Sequence, residues 1–311
     1  MQEMKDFVKP GISATMLYPG TFSDETWHLE AVKAACALPD YEILDLSLLF
    51  DPDIRAQEMD LLRHSGKQVY LNAPTVLQQD GGYNPCSDDP ETRQRALALM
   101  LDHIRYAGEL EAPVMVYTAN VDRGEAQRPV LLDRFFDFVC QCDKEAQNQG
   151  VILALEPIER HRFKKLFLGP TEECCAFTER LRAAGCRQAG IMVDITHLPL
   201  MEEDVPSALT RCMELGMCHI HLGSAVLEPS SPFYGHTHPP MGIKHGLFDT
   251  KELAEQLQCM IRCGYIASGK RAAMSFEVQP LPGSTPEETA AVQYEKLKEA
   301  FSIAAYQEQL A

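Results

Sequence analysis

Short apolar, β-branched runs recur along the chain, and a longer amphipathic stretch follows each one. Eight such runs can be read, at 8–16, 41–48, 68–74, 113–119, 151–157, 189–197, 218–224 and 272–280. Eight strands, each followed by a helical segment over one uninterrupted chain, give the count of an α/β fold of the (β/α)8 TIM-barrel type. A doubly wound open sheet is the alternative, but no G-x-G-x-x-G follows the first run. The helical stretches carry their own start and stop signals. Ser23 is expected to cap a helix that opens with acids, Pro90 and the Thr285-Pro286 pair stand at helix starts, and Gly150 stands at a helix end. No Gly-, Ser- or Pro-rich linker divides the chain, so residues 1–311 are expected to form a single domain. The segment at about 225–248 is long for a connection, and long loops after barrel strands belong to active sites.

Charge and cysteine content narrow the classes of partner. The formal net charge of −17 repels phosphate backbones and anionic membrane surfaces, so neither nucleic acid nor a membrane is expected as a partner. No run approaches the roughly 18 apolar residues of a membrane span, and the first ten residues lack a secretory signal. The 11 cysteines form no C-x-x-C pair. They read as reduced, buried thiols of a cytoplasmic protein, with no spacing that suggests a zinc-thiolate site.

The chemistry lies where these runs end. IMVDITHLPLM carries Asp194 and His197 after an apolar lead, the fifth run ends at Glu156, the seventh carries His219 and His221, and the eighth ends at Glu277. Barrel enzymes place catalysis at the C-terminal ends of their strands, so these groups converge on one volume. Residues two apart on a strand share a face, which puts His219 and His221 on the same side. Crowded carboxylates repel one another, and a divalent cation resolves the conflict. Oxygen-rich ligation with one imidazole suits Mn2+ first, with Mg2+, Co2+ and Zn2+ as alternatives. Each residue also has a plain reading. A lone Glu after a strand is commonly a cap, His219 by itself suits a packed core histidine, and Glu159 with Arg160 suits a solvated pair at a helix entry.

The segments LEPIER, VDITH, HIHLG and SFEVQP resemble the xylose isomerase-like TIM-barrel superfamily, in order and spacing, over nearly the whole chain. That superfamily holds sugar and sugar-phosphate isomerases and epimerases as well as apurinic endonucleases of the endonuclease IV type. The resemblance implies that Glu156, Asp194, His221 and Glu277 are metal ligands and that His197 faces the substrate. It also implies an isomerase or epimerase of a sugar, sugar phosphate or related polyol. In that mechanism a metal chelates the substrate, and Glu156 and Glu277 move the proton as acid and base through an enediolate. LEPIER is similar to the L-E-x-x-N-R of ketose epimerases, with Glu159 where Asn is common. Ser224 stands where those enzymes follow their histidine with Gly-Glu.

Alternatives within the superfamily are a metal-dependent lyase or dehydratase on a sugar or cyclitol, including a C-glycoside-cleaving subunit, and an apurinic nuclease. The nucleases need histidines on the third and fourth strands, where this chain has Asn72 and Thr118. His236 and His238 resemble the nucleases' D-x-H ligands in position. Together with Lys244 they are expected to bind substrate from the long loop. Glu159, Arg160 and His219 complete the expected substrate contacts. Arg160, Arg162, Lys164 and Lys165 could receive a phosphate or form an exposed run, so free and phosphorylated sugars remain open. A homo-oligomer paired through helical faces is a further expectation.

Overall fold

A computed structural model describes residues 3–22, 25–47 and 49–310; the expected cap Ser23 lies outside the described residues. Eight parallel strands close into a barrel in sequence order. They are β1 (Val8–Ser13), β2 (Ile43–Ser47), β3 (Gln68–Asn72), β4 (Val114–Tyr117), β5 (Ile152–Leu155), β6 (Ala189–Asp194), β7 (His219–Leu222) and β8 (Ala272–Phe276). The helices are α1 (Ala14–Leu17), α2 (Glu25–Cys36), α3 (Pro52–Ser65), α4 (Pro90–Glu109), α5 (Arg128–Gln149), α6 (Thr171–Ala183), α7 (Val205–Glu214), α8 (Thr250–Arg262) and α9 (Pro286–Gln307). The (β/α)8 barrel read from the sequence is therefore the fold. Among the described residues, no helix is long and apolar enough to cross a membrane.

Local chemistry sets the helix ends. Asp51 and Asp89 cap α3 and α4, each accepting two backbone N–H groups, and each is followed by a proline that has no N–H to lose. Thr285 and Glu288 form a reciprocal capping box at α9. Gly150 ends α5 with φ of 72°, a backbone conformation that a side chain would strain.

Two apolar layers result. Ile43, Tyr70, Val114, Val116, Ala154, Met192 and Ala273 fill the barrel interior. The alternate strand residues face outward and join the helices in one large continuous core. All 11 cysteines are free, and most of them are buried. The shell also buries a polar cluster. His28 of α2 bonds Glu58 Oε1 of α3, and the Tyr106 hydroxyl of α4 donates to Glu58 Oε2 at 2.6 Å. Both oxygens of that carboxylate are satisfied, which is what burying a charge requires.

Candidate active site

The barrel register builds the site. Asp194 ends β6 directly beside His221 of β7, and His221 lies beside Ser275 of β8, two residues before Glu277. The Glu156 N–H donates to Tyr117 O and the Glu277 N–H to Leu222 O, so both acids continue the ladder one step beyond their strands. Alternation turns all four side chains inward. Glu156, Asp194, His221 and Glu277 each offer one ligand atom, and these atoms lie within 4.8 Å of one another.

Glu156, Asp194 and His221 are buried, Glu277 is half-buried, and the group is poorly satisfied. Thr196 N–H donates to Asp194 Oδ1 at 2.7 Å, but Asp194 Oδ2 and Glu156 Oε1 have no hydrogen-bond partner among the described residues. His221 Nδ1 is 2.9 Å from Glu277 Oε2 without the alignment of a hydrogen bond. Burial and the charge of Glu277 push Glu156 well above the carboxylate range, and burial with the same neighbour pushes Asp194 up to about 6. Burial alone would also raise Glu277, yet the charges of His238 and His221 outweigh it and hold that carboxyl low. Burial opposes a charged His221, but Glu277 and Asp45 outweigh it and raise its pKa. Three carboxyls and an imidazole thus divide protons among themselves. A divalent cation would take over that role, and the oxygen-rich donor set with orphaned atoms fits one.

Three more histidines stand above the group. His197 Nδ1 is 3.3 Å from Glu156 Oε1, and its Nε2 is 3.4 Å from Asp194 Oδ2. Its ring stacks on His236 with centroids 4.7 Å apart, and His238 Nε2 lies 3.1 Å from His236 Nε2. Burial and the nearby His238 push His197 down to about 3, and burial lowers His236 for the same reason, so both rings are neutral. His236 and His238 arrive on the long 225–248 loop, which is tied down at both feet. Ser224 Oγ accepts the Phe248 N–H, Leu247 N–H donates to Ala225 O, and Gly235 N–H donates to Val226 O. His238 sits at φ of 47°, a strained conformation held in part by Gln279 N–H donating to His238 O.

These groups open into a cavity of about 240 Å3. Glu156, Glu277, His197, His236 and His238 line one wall. Ser13, Thr15, Asn72, Thr118 and Gln279 supply hydroxyls and amides, and Leu77, Phe135 and Phe138 give an apolar flank. Among the described residues, Lys164 is the one lysine or arginine that lines the cavity.

Not every expected substrate contact reaches this cavity. Glu159 is buried, and its two oxygens accept the N–H groups of Lys164 and Lys165, which shapes the turn that presents Lys164. Arg160 pairs with Glu173 and donates to Phe167 O at 2.7 Å. His219 lies deeper in the barrel, beside Asp45. Lys244 is exposed and does not line the cavity. Sequence reasoning missed Asp45. Its signal was a single acid in the middle of an apolar run, YEILDLSL.

Residues 40–268 match the family described as xylose isomerase-like TIM barrel. No curated protein matches the chain. Among solved structures, a D-tagatose 3-epimerase-like protein superposes with a TM-score of 0.72 at 18% identity, covering 96% of this chain and 99% of that one. D-psicose 3-epimerase from Clostridium cellulolyticum H10 gives 0.65 at 16% identity, covering 97% and 99%. A 3-keto-D-glucoside 4-epimerase from E. coli gives 0.66 at 13% identity, covering 95% and 99%. At these identities the likeness establishes the fold.

Proposed function

Because the chain belongs to the xylose isomerase-like TIM-barrel family, we propose that it is a divalent-metal-dependent isomerase or epimerase of a sugar, sugar phosphate or related polyol. The observation that carries this reading is the convergence of Glu156, Asp194, His221 and Glu277, with orphaned oxygens, at the foot of a cavity rich in hydroxyls and amides. The solved relatives named as sugar epimerases support the substrate class. The volume, about 240 Å3, falls below the roughly 300–1,000 Å3 of drug-sized sites and suits a monosaccharide.

In this reading the four strand-end residues hold one cation, Mn2+ first among Mg2+, Co2+ and Zn2+. When bound, it supplies a Lewis acid that acidifies the C–H beside a carbonyl. The chain's own residues do the rest. Glu156 and Glu277 reach the substrate from different strands, and one removes the proton to leave an enediolate. Return of a proton to the opposite face of the same carbon gives the epimer, and return to the neighbouring carbon gives the isomer. Neutral His197 and His236 donate hydrogen bonds to sugar hydroxyls without adding charge. Lys164 offsets negative charge that develops on the enediolate oxygens.

The test is wash-in of solvent deuterium from D2O beside the carbonyl, across ketoses and their phosphates, with Mn2+ present. Exchange that disappears on chelation supports the reading, as does about one metal per chain by mass spectrometry. Elimination products in place of exchange would assign a lyase instead. Tight metal binding with neither exchange nor elimination on any sugar would overturn the proposal.

A further inference from the structure

Beneath the strand-end groups lies a second polar layer sealed inside the barrel. Asp45 sits at the middle of β2 and is 1% exposed. Its Oδ1 lies 3.2 Å from His219 Nε2. Its Oδ2 lies 3.3 Å from the same nitrogen and 3.6 Å from His221 Nε2. We infer that Asp45, clamped by His219, is a positioning residue for the cation site: it keeps the His221 proton on Nε2 and leaves Nδ1 bare for the cation. This inference rests on the ligand role proposed above for His221.

An enclosed carboxylate is strongly unfavourable unless well-placed partners meet it. The side-chain partners the structure gives Asp45 are two imidazoles, with no lysine or arginine among them. Ile43 and Val116 fill neighbouring interior positions with hydrocarbon, so the fold by itself does not call for an acid here.

His221 turns Nδ1 toward Glu277 and Nε2 toward Asp45. A neutral imidazole has one proton, so a ligating nitrogen must be bare and the proton must sit on the other. The acceptor beside that other nitrogen decides which tautomer is held, as in carboxylate–histidine–metal triads. At 3.6 Å the Asp45 contact is longer than a hydrogen bond. It acts through charge, and the attraction is stronger in a buried layer than in water.

His219 pairs with Met192 rather than Asp194 in the strand register, which places it one layer below the cation group. Its ring meets Tyr70 with centroids 4.5 Å apart. Its Nε2 contacts both Asp45 oxygens, so the carboxylate is fixed in rotation. This accounts for a histidine that shares a face with His221 yet stands outside the cation group.

The experiment is titration of the metal-free protein with MnCl2, read by the electron paramagnetic resonance signal of the free ion. Wild type is expected to bind about one Mn2+. Asp45→Asn, close in shape, is expected to bind 10- to 100-fold more weakly. Its metal-free melting temperature should be unchanged or higher, because a buried charge is gone. A residue that served the fold alone would shift melting and leave Mn2+ affinity untouched. Equal affinity in Asp45→Asn overturns the inference and leaves the ligand set standing. No Mn2+ binding by wild type overturns the ligand set, and the inference with it. If Asp45→Asn does not fold, the wild type still gives the answer. In Zn2+-loaded protein labelled with 15N-histidine, the inference requires a protonated Nε2 and a metal-shifted Nδ1 at His221. A proton on Nδ1 overturns it.

Discussion

Two regions of this molecule bury an acid against a histidine, and they do so in opposite ways. In the helical shell, Glu58 uses one oxygen for His28 and the other for the Tyr106 hydroxyl, and nothing is left over. At the barrel mouth, Glu156 Oε1 and Asp194 Oδ2 are buried without a hydrogen-bond partner among the described residues, and both nitrogens of His197 share that state. Both regions set carboxylates against imidazoles, and both are buried. The difference lies in saturation. A saturated buried pair holds helices together, whereas an unsaturated cluster keeps donor atoms available to a group from outside the chain.

Substitutions can break this contrast. The largest expected effect is at the mouth, where Glu277→Gln should slow solvent exchange at the sugar carbon by about 10²- to 10⁴-fold, the usual weight of a general base. Thermal unfolding of the metal-free variant should barely move. Unchanged exchange in D2O would remove Glu277 from the proton pathway. Next comes Glu58→Ala in the shell, which strips both partners from a saturated pair and should cost about 3–5 kcal/mol in chemical denaturation. Metal content per folded chain should stay at wild-type level; a loss of metal would mean that the two regions are coupled.

The smallest expected effect sharpens the comparison through pH. Burial pushes the shell histidine His103 down to about 4 from its ordinary 6.5. Between those values the unfolded chain binds a proton that the folded chain refuses. The stability contributed is therefore complete above about 6.5 and is lost as pH falls toward about 4. His103→Gln should flatten that part of the stability curve while leaving the pH dependence of metal uptake unchanged. An equally steep curve in the variant would place the acid sensitivity elsewhere.

The strands and their inward acids were legible because a parallel barrel writes them plainly. Apolar runs ending in Glu156, Asp194 and Glu277 have one simple geometric outcome, and the barrel delivers it. Depth along the barrel axis was harder to read. His219 and His221 share a face by their spacing, but the register with β6 sets one beside Asp194 and the other beside Met192. Asp45 was hidden for a similar reason, since one acid inside an apolar run does not reveal which residues its neighbours bring. In HRFKK the sequence could not say which cation faces the cavity. Glu159 decides that by accepting two backbone N–H groups and holding Lys165 at φ of 55°, so that Lys164 is the one presented.

Two loops that border the cavity touch each other. The turn that carries Lys164 meets the loop that carries His236 where the Phe163 ring lies over Gly235, with Tyr234 edge-on at 5.3 Å. A Cβ at position 235 would stand 2.1 Å from that ring, so glycine is what allows the two loops to touch. A seam made of a ring on a glycine holds by dispersion, and parting it breaks no hydrogen bond between the ring and its seat. The two loops that bring Lys164 and His236 to the cavity are thus joined by an apolar contact, distinct in kind from the charged groups at the strand ends.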